Sequence, residues 1–351
     1  VLSFVFALPA FAEKKKAEAK PAPTIDQLMA NGEYQKVIET GLKFIEKQQD
    51  TAPILYLMGL AYQQLKDNPN ALSYYEKALA KAASDPLTPN TEIQLSSLIN
   101  EANIYAEIKD DAKVSEIYEK ALVISPENKD ILLNYAICLE KRDKVKTYAT
   151  YDKLVGIDPS FKNVAHEAGV FAIENKDYDK AESYLKTALQ SLPSSEDNKM
   201  ALAKLYLKKQ NYEAAIPLLK DLSETTTRDI LKPSFMTLLA DSYYQTNKPM
   251  DAISTCDKIL ALRPNDDRAL IIKTRAYRDM KDPKNAAAIA ELVLAANPSH
   301  EEANYLRGKI AVEQQDFKKA RLHFEKVLSI TSDPERKTEV QGYLKQIKGG
   351  K

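Results

Sequence analysis

The chain has 351 residues, of which 44% are hydrophobic and 28% charged, and its 50 basic and 50 acidic side chains leave no net charge. This balance provides no overall basic field for nucleic acid. With 9 Gly, 2 Cys and 3 His, the chain is neither collagen-like nor held by several disulfides, and it has few ligands for a multi-histidine metal site. The length suits two or three ordinary domains or one elongated array of repeats.

The N-terminal segment Val1 to Ala12 is apolar, ends in Ala10-Phe11-Ala12 and is followed at once by charged residues. A signal peptidase site typically has a small residue, then any residue, then a second small residue at the end of an apolar run. We therefore predict that residues 1–12 are a truncated signal peptide, that residues 13–23 form a Lys/Ala/Pro linker, and that the protein is exported to the periplasm. The alternatives are an uncleaved membrane anchor and a hydrophobic end without a targeting role.

Prolines recur at near-constant spacing in the rest of the chain. Pro126, Pro159, Pro193, Pro264 and Pro298 lie 33, 34, 71 and 34 residues apart. This spacing indicates an internal repeat of 34 residues, which points to a repeat architecture and not to separate globular domains.

The stretch before Pro193 shows the content of one repeat. Small or apolar residues recur at i, i+4 and i+7 in two runs, which are Ala165, Gly169, Ala172 and then Ala181, Leu185, Ala188. Each run forms one stripe of a helix, and turn-forming residues 175–177 separate the two. The pattern predicts a helix–turn–helix hairpin whose facing side chains are small enough for close packing.

The same register recurs through the chain. The small residue of the first helix reappears at Gly59, Ala102, Ala240 and Gly308. An aromatic residue follows it by three positions in several units, at Tyr62, Tyr105, Tyr206, Tyr243 and Tyr277. Longer intervals between units predict insertions at residues 83–90 and 225–227. Pro217 is expected to remove a backbone hydrogen bond and kink the second helix beside the latter insertion, which makes this region a predicted weak point.

This pattern resembles the tetratricopeptide repeat family, whose unit has 34 residues with an L-G-x-x-Y run, then A-x-x-x-F, then a closing Pro. The resemblance covers residues 24–334 as about nine units, although Trp is absent and the early Gly is often Ala or Thr. It implies an all-α solenoid of stacked hairpins, in which each hairpin depends on its neighbours for burial. Residues 335–351 are predicted to form a C-terminal capping helix and tail, with Val340, Tyr343, Leu344 and Ile347 facing inward.

Motifs for catalysis and metal binding are incomplete. No glycine pair has the spacing of a nucleotide-binding loop. His166-Glu167 and His300-Glu301 begin like zinc-protease motifs, but Val170 and Asn304 stand where the second His is required. Each His is therefore interpreted as part of a solvated pair with its neighbouring Glu. Cys138 and Cys256 are predicted to be buried, small apolar groups. The sequence thus predicts a non-enzymatic protein without a cofactor or a metal.

In the resembled family, the first helices of the repeats line a concave face on which partner peptides lie. When each residue is matched to its position within the repeat, the resemblance implies that the inward positions include His166, Val170, Met200 and Lys204. The peptide-binding candidates are Tyr56, Leu60, Asn100, Asn103, Asn134, Tyr244, Arg268, Arg275 and Arg278.

Two groups of these candidates carry specific chemistry. The Asn amides can both donate to and accept from an extended backbone, although the alternative is that they are solvated. Arg268, Arg275 and Arg278 share one helix face and could bind carboxylates, or they could form a solvated stripe partly paired with Asp279. The family's carboxylate clamp for chaperone C-termini is not reproduced, because apolar or acidic residues replace its polar and basic positions at Ile99, Leu133 and Glu167.

The functional prediction is a protein–protein adaptor of the bacterial cell envelope that binds partner segments in the groove. The predicted partners are other proteins and not nucleic acid, with membrane contact only indirect or through an uncleaved N-terminal anchor. One alternative is an envelope protein that binds a small molecule or lipid in the apolar half of the groove, and another is a cytosolic scaffold.

Overall fold

The computed structural model describes residues 23–84 and 90–349, and every regular element within these ranges is a helix. The predicted signal segment, most of the linker and part of the predicted insertion at residues 83–90 lie outside the described residues. None of the helices in the described ranges is both long and apolar enough to cross a membrane.

The chain divides into two compact units, Val1–Thr150 and Tyr151–Lys351. The helices that begin in the first unit are α1 (Ile25–Ala30), α2 (Tyr34–Glu46), α3 (Ala52–Gln64), α4 (Asn68–Ala83), α5 (Thr91–Glu107), α6 (Asp111–Ile124), α7 (Lys129–Leu139) and α8 (Lys144–Ile157). Those of the second unit are α9 (Val164–Glu174), α10 (Tyr178–Ser191), α11 (Glu196–Lys208), α12 (Tyr212–Thr225), α13 (Lys232–Gln245), α14 (Pro249–Leu262), α15 (Asp267–Asp279), α16 (Pro283–Ala296), α17 (Glu301–Glu313), α18 (Phe317–Ile330) and α19 (Pro334–Gly349).

Consecutive helices pair as eight hairpins in the described part of the chain, from α1 with α2 to α5 with α6 in the first unit and from α9 with α10 to α17 with α18 in the second, and a single helix, α19, follows the last pair. Within each unit the hairpins stack, because each first helix also packs on the second helix of the preceding hairpin, as α5 does on α4 and α17 on α16. The predicted all-α solenoid class is confirmed.

Close packing inside the hairpins depends on the small residues that the sequence pattern indicated. A Cβ added to Gly169 of α9 would lie 2.7 Å from Leu185 Cδ2 of α10, and one added to Gly308 would lie 2.5 Å from Phe324 Cε1. Leu185 and Phe324 are fully buried. The large side chain of the second helix therefore occupies the space that the small residue of the first helix leaves open.

The turns inside the hairpins share one geometry. In each of these eight hairpin turns, one residue has a φ between 56° and 74°. In the turn before α16, Lys281 holds this left-handed conformation; its N–H bonds to the Arg278 carbonyl, and the Asp282 N–H bonds to the Tyr277 carbonyl, both at 2.9 Å. These two bonds form a Schellman motif, which satisfies free carbonyls of the first helix. Asp282 is also the N-cap of α16 and accepts a hydrogen bond from the Asn285 N–H at 3.1 Å.

The region predicted to be weak is held by side chains. Helix α12 runs through Pro217 without a break in its assignment from Tyr212 to Thr225. The Glu196 carboxylate accepts hydrogen bonds from the Thr227 N–H at 3.1 Å and from Arg228 Nε at 2.8 Å. The inserted segment is therefore bound to the start of α11, which the sequence pattern did not indicate.

The C-terminal helix α19 covers the last hairpin with the four residues expected to face inward. Val340 is fully buried, and Tyr343, Leu344 and Ile347 pack against the same core cluster. The Tyr343 ring stacks on Phe324, with 5.1 Å between ring centroids. The apolar side of α18 is thereby removed from water, which is the role of a capping helix in a repeat stack.

Candidate peptide-binding grooves

The first helices of neighbouring hairpins line a groove in the second unit, which we call the α9–α11 groove. Its volume is about 590 Å³. Its lining residues are Asn163, His166, Glu167, Val170, Ile173, Asp197, Met200, Ala201, Lys204, Leu205 and Lys208. The sequence-based inward positions His166, Val170, Met200 and Lys204 are among them.

Helical periodicity explains why α9 contributes to both the hairpin core and the groove. Ala168 and Ala172 are fully buried and lie on the same side as Gly169, which contacts α10. His166, Val170 and Ile173, at i, i+4 and i+7, lie on another side and are only half-buried. The apolar part of the groove is therefore formed by side chains that the hairpin core does not need.

His166 has a defined hydrogen bond in the groove. Asn198 Nδ2 donates to the buried Ala188 carbonyl at 3.0 Å, so Asn198 Oδ1 is the atom that faces His166 Nδ1, at 2.9 Å. Nδ1 therefore carries the proton. Nε2 has no partner among the described residues and is free for a hydrogen bond to a ligand. The interpretation of His166 as part of a solvated pair with Glu167 is wrong.

The charges of the groove are unequally compensated. Asp197 Oδ1 accepts a hydrogen bond from Arg228 Nη2 at 3.1 Å. Lys204 and Lys208 are exposed on α11, and neither is in an ion pair with a described residue; Lys208 Nζ lies 5.6 Å from the centroid of the Tyr178 ring. Glu167 on α9 is also exposed and unpaired among the described residues. The α11 side of the groove is therefore basic, and the α9 side carries one acid.

A second groove, of about 450 Å³, lies on α13, α15 and α17. We call it the α13–α17 groove. Its lining residues are Thr237, Leu238, Asp241, Asp267, Arg268, Ile271, Ile272, Arg275, His300 and Glu302. Two of the three predicted arginines, Arg268 and Arg275, thus line one groove.

The charge of Arg275 is already paired inside the protein. Glu302 accepts hydrogen bonds from Arg275 Nη2 at 2.8 Å and from Arg336 Nη1 at 3.0 Å. Burial by itself raises the pKa of Glu302, but the hydrogen bonds and charges of the two arginines outweigh it and hold that pKa below its usual value. Arg268 is exposed and is the arginine of this groove that can bind a ligand without breaking an ion pair.

The remaining residues of this end are joined through Asp279. Tyr244 OH donates to Asp279 Oδ2 at 2.8 Å, and Arg278 Nη2 donates to Asp279 Oδ1 at 2.8 Å. Burial, together with the hydrogen bond to Asp279, raises the pKa of Tyr244. Arg278 and Tyr244 are therefore both hydrogen-bonded to the exposed Asp279. Neither residue is among those that line the α13–α17 groove.

The peptide-binding candidates of the first unit differ in how many of their polar atoms are already hydrogen-bonded within the protein. Asn100 Nδ2 donates to Tyr56 OH at 3.1 Å and to the Ser96 carbonyl at 2.9 Å, so both amide hydrogens are used and Oδ1 remains as an acceptor. Leu60 packs against a core cluster. Asn103 and Asn134 are exposed, and their side-chain amides make no hydrogen bond with a described residue.

His300 and the two cysteines have structural roles. His300 Nδ1 caps α17 by accepting a hydrogen bond from the Ala303 N–H at 3.2 Å, so its interpretation as part of a solvated pair is also wrong. Cys256 is fully buried, and burial raises the pKa of its thiol to about 12. Cys138 is only half-buried, contrary to the prediction, with Sγ 3.4 Å from the Asp111 carbonyl. Among the described residues, no three His, Cys, Asp or Glu side chains could hold a metal ion.

Stacked hairpins with grooves between their first helices define a protein of the helical-repeat class. Models of the tetratricopeptide repeat family match residues 50–127, 172–231 and 273–335, which together are more than half of the chain. The chain is a tetratricopeptide repeat protein. No curated protein matches it.

Several solved structures are similar to the chain at low identity. YrrB, described as a tetratricopeptide repeat protein with an unusual peptide-binding site, is 19% identical over 54% of this chain and 96% of its own, with a TM-score of 0.44. Yeast Tom70 is 15% identical over 92% of this chain and 87% of its own, with a TM-score of 0.41. A repeat protein from Parabacteroides merdae is 19% identical over 90% of this chain and 98% of its own, with a TM-score of 0.37. The family assignment rests on the matched sequence models.

Proposed function

We propose that the chain is a non-enzymatic adaptor that binds extended segments of partner proteins in the α9–α11 groove. Tetratricopeptide repeats generally act as protein-interaction modules without catalytic activity, so the chain is an interaction scaffold. The proposal adds the place where binding occurs.

The observation that carries this proposal is the composition of the α9–α11 groove. Val170, Ile173 and Met200 give it an apolar surface, while His166 and Lys204 provide polar groups that have bonding capacity left. A groove that combines apolar contact area with a few positioned polar groups suits peptide recognition. The hairpins on both sides are already packed, so binding requires little ordering of the scaffold.

Peptide selection tests this proposal. Peptides selected from a random library against the full chain should bind through the groove, and Met200→Asp should weaken their binding at least tenfold in fluorescence anisotropy. Leu322→Asp, at a residue that is 64% exposed on the second helix α18, is the matched control and should leave the affinity unchanged. Equal peptide affinities of the wild type and Met200→Asp would contradict the proposal. It would also be contradicted if a lipid co-purified with the protein and none of the selected peptides displaced it.

We also propose that the protein works in the bacterial cell envelope, in the periplasm. Support comes only from the signal-like segment at residues 1–12. Fractionation of expressing cells, with N-terminal sequencing of the mature protein, should find it in the periplasm beginning at Glu13. A soluble cytosolic product that retains residues 1–12 would contradict this location.

A further inference from the structure

The α9–α11 groove also specifies the chemistry of its partner, an inference that rests on the proposed function. We propose that it recognises an extended segment in which two acidic residues flank one aliphatic residue, so that the acids face α11 and the aliphatic side chain faces α9.

The spacing of Lys204 and Lys208, neither of which forms an ion pair with a described residue, supports this motif. Lys204 and Lys208 are one helical turn apart on α11, and a rise of 1.5 Å per residue places their Cα atoms about 6 Å apart along the helix axis. In an extended chain, residues i and i+2 point to the same side and lie about 6.5 Å apart. Two acidic residues in alternate positions therefore match the two ammonium groups.

The opposite side of the groove fits the residue between the acids. Residue i+1 of an extended segment points away from α11, toward the half-buried Val170 and Ile173 of α9. An aliphatic side chain there would remove apolar surface of α9 from water.

Charge complementarity favours acids and not bases beside α11. Asp197, the acid of α11 in this groove, is paired with Arg228, so it does not neutralise Lys204 or Lys208. A basic segment would place like charges against two uncompensated ammonium groups. Glu167 and His166 Nε2, on the α9 side, remain available for backbone N–H groups of the same segment.

Charge reversal tests the proposal directly. The probes are fluorescein-labelled peptides with a central Glu-Leu-Glu, Gln-Leu-Gln, Lys-Leu-Lys or Glu-Ser-Glu in one Gly/Ser frame, measured by anisotropy against the full chain. Glu-Leu-Glu should bind at least tenfold more tightly than Lys-Leu-Lys, and replacing Leu by Ser should weaken binding severalfold. The double variant Lys204→Glu/Lys208→Glu should reverse the preference between the two charged peptides.

A matched double variant, Lys258→Glu/Lys284→Glu, makes the same change of net charge at exposed positions of the second helices α14 and α16 and should keep the preference for acids. If library-selected peptides bind in a Met200-dependent way but show no acidic preference, the motif is wrong and the adaptor function stands. If no peptide binding depends on Met200, both proposals fail.

Discussion

At the scale of single residues, the position just before the small residue of the first helix makes the same contact in more than one repeat. Arg307 Nε donates to Glu291 Oε1 at 2.7 Å, and Tyr135 OH donates to Glu119 Oε1 at 2.6 Å. In both pairs the acid lies 16 residues earlier, on the preceding second helix. Glu101 occupies the same position but is itself an acid, and its Oε1 is buried without a hydrogen-bond partner among the described residues.

Glu101 should make stability depend on pH. Burial, reinforced by the charge of Glu76, raises its pKa from 4.5 to about 7. The folded state therefore binds a proton that the unfolded state has lost, and stability should fall as pH rises from about 4.5 to 7. Glu101→Gln should add about 1–3 kcal/mol to the free energy of unfolding at pH 8 and much less at pH 5.

Thermal unfolding followed by circular dichroism at the two pH values measures this difference. Glu107→Gln, at an exposed residue of the same helix, is the control and should change Tm little at either pH. An equal gain for Glu101→Gln at pH 5 and pH 8 would show that its carboxyl is not protonated by burial.

The glycines of the hairpin interface give a second residue-scale prediction. Gly169→Leu places a Cβ 2.7 Å from Leu185 Cδ2, and Leu185 is fully buried, so the variant should lose about 1–3 kcal/mol. Gly342→Leu is the matched control, because a Cβ at this position of α19 meets nothing within 4 Å and removing a mid-helix Gly favours the helix. Denaturant unfolding of both variants compares them. A similar loss at both positions would mean that packing against α10 is not the cause.

At the scale of helices and turns, the lysines in left-handed conformation should be replaceable by glycine with a gain. Lys281 has a φ of 61°, which a residue with a Cβ adopts at a cost of about 1 kcal/mol, and glycine adopts it freely. Lys281→Gly should raise the free energy of unfolding by about 0.5–1 kcal/mol. Lys281→Val should lower it, because a β-branched residue is least suited to this conformation. If both variants have the same Tm, the turn does not keep this conformation in solution.

Sequence patterns within one repeat predicted the helices. Side-chain contacts between neighbouring repeats were harder to derive from the sequence. Prolines, small residues and aromatics at 34-residue intervals act within one hairpin, so a single sequence displays them. The bond from Asn198 to His166 spans 32 residues and depends on how far one hairpin is turned against the next. For the same reason, the pairing of Arg275 with Glu302, 27 residues away, was not apparent. The left-handed lysines were also missed, because glycine is the residue expected there.

At the scale of the whole molecule, stability in a repeat stack is carried by contacts between neighbours. In the second unit, Arg336 of α19 bonds to Glu302 of α17 and lies 3.8 Å from the centroid of the Tyr305 ring. Arg336→Ala should therefore weaken the attachment of α19 by about 1–2 kcal/mol. Hydrogen exchange read by mass spectrometry should speed up in α17–α19 and stay unchanged in the first unit.

The control for this prediction is Lys337→Ala, an exposed neighbour on the same helix, which should leave exchange as in the wild type. Faster exchange throughout both units of Arg336→Ala would show that the chain unfolds as one cooperative body and not from its end.

The shared turn residue has an evolutionary consequence. Asp282 both completes the bonding of the carbonyl groups at the end of a first helix and caps the second helix that follows. A hairpin with such a turn residue carries its own start and stop signals. If 34 codons between two such turns were duplicated or lost, the backbone groups at the helix ends would still have their hydrogen-bond partners. Chains of this kind can therefore change length by whole modules while each surviving module keeps its internal geometry.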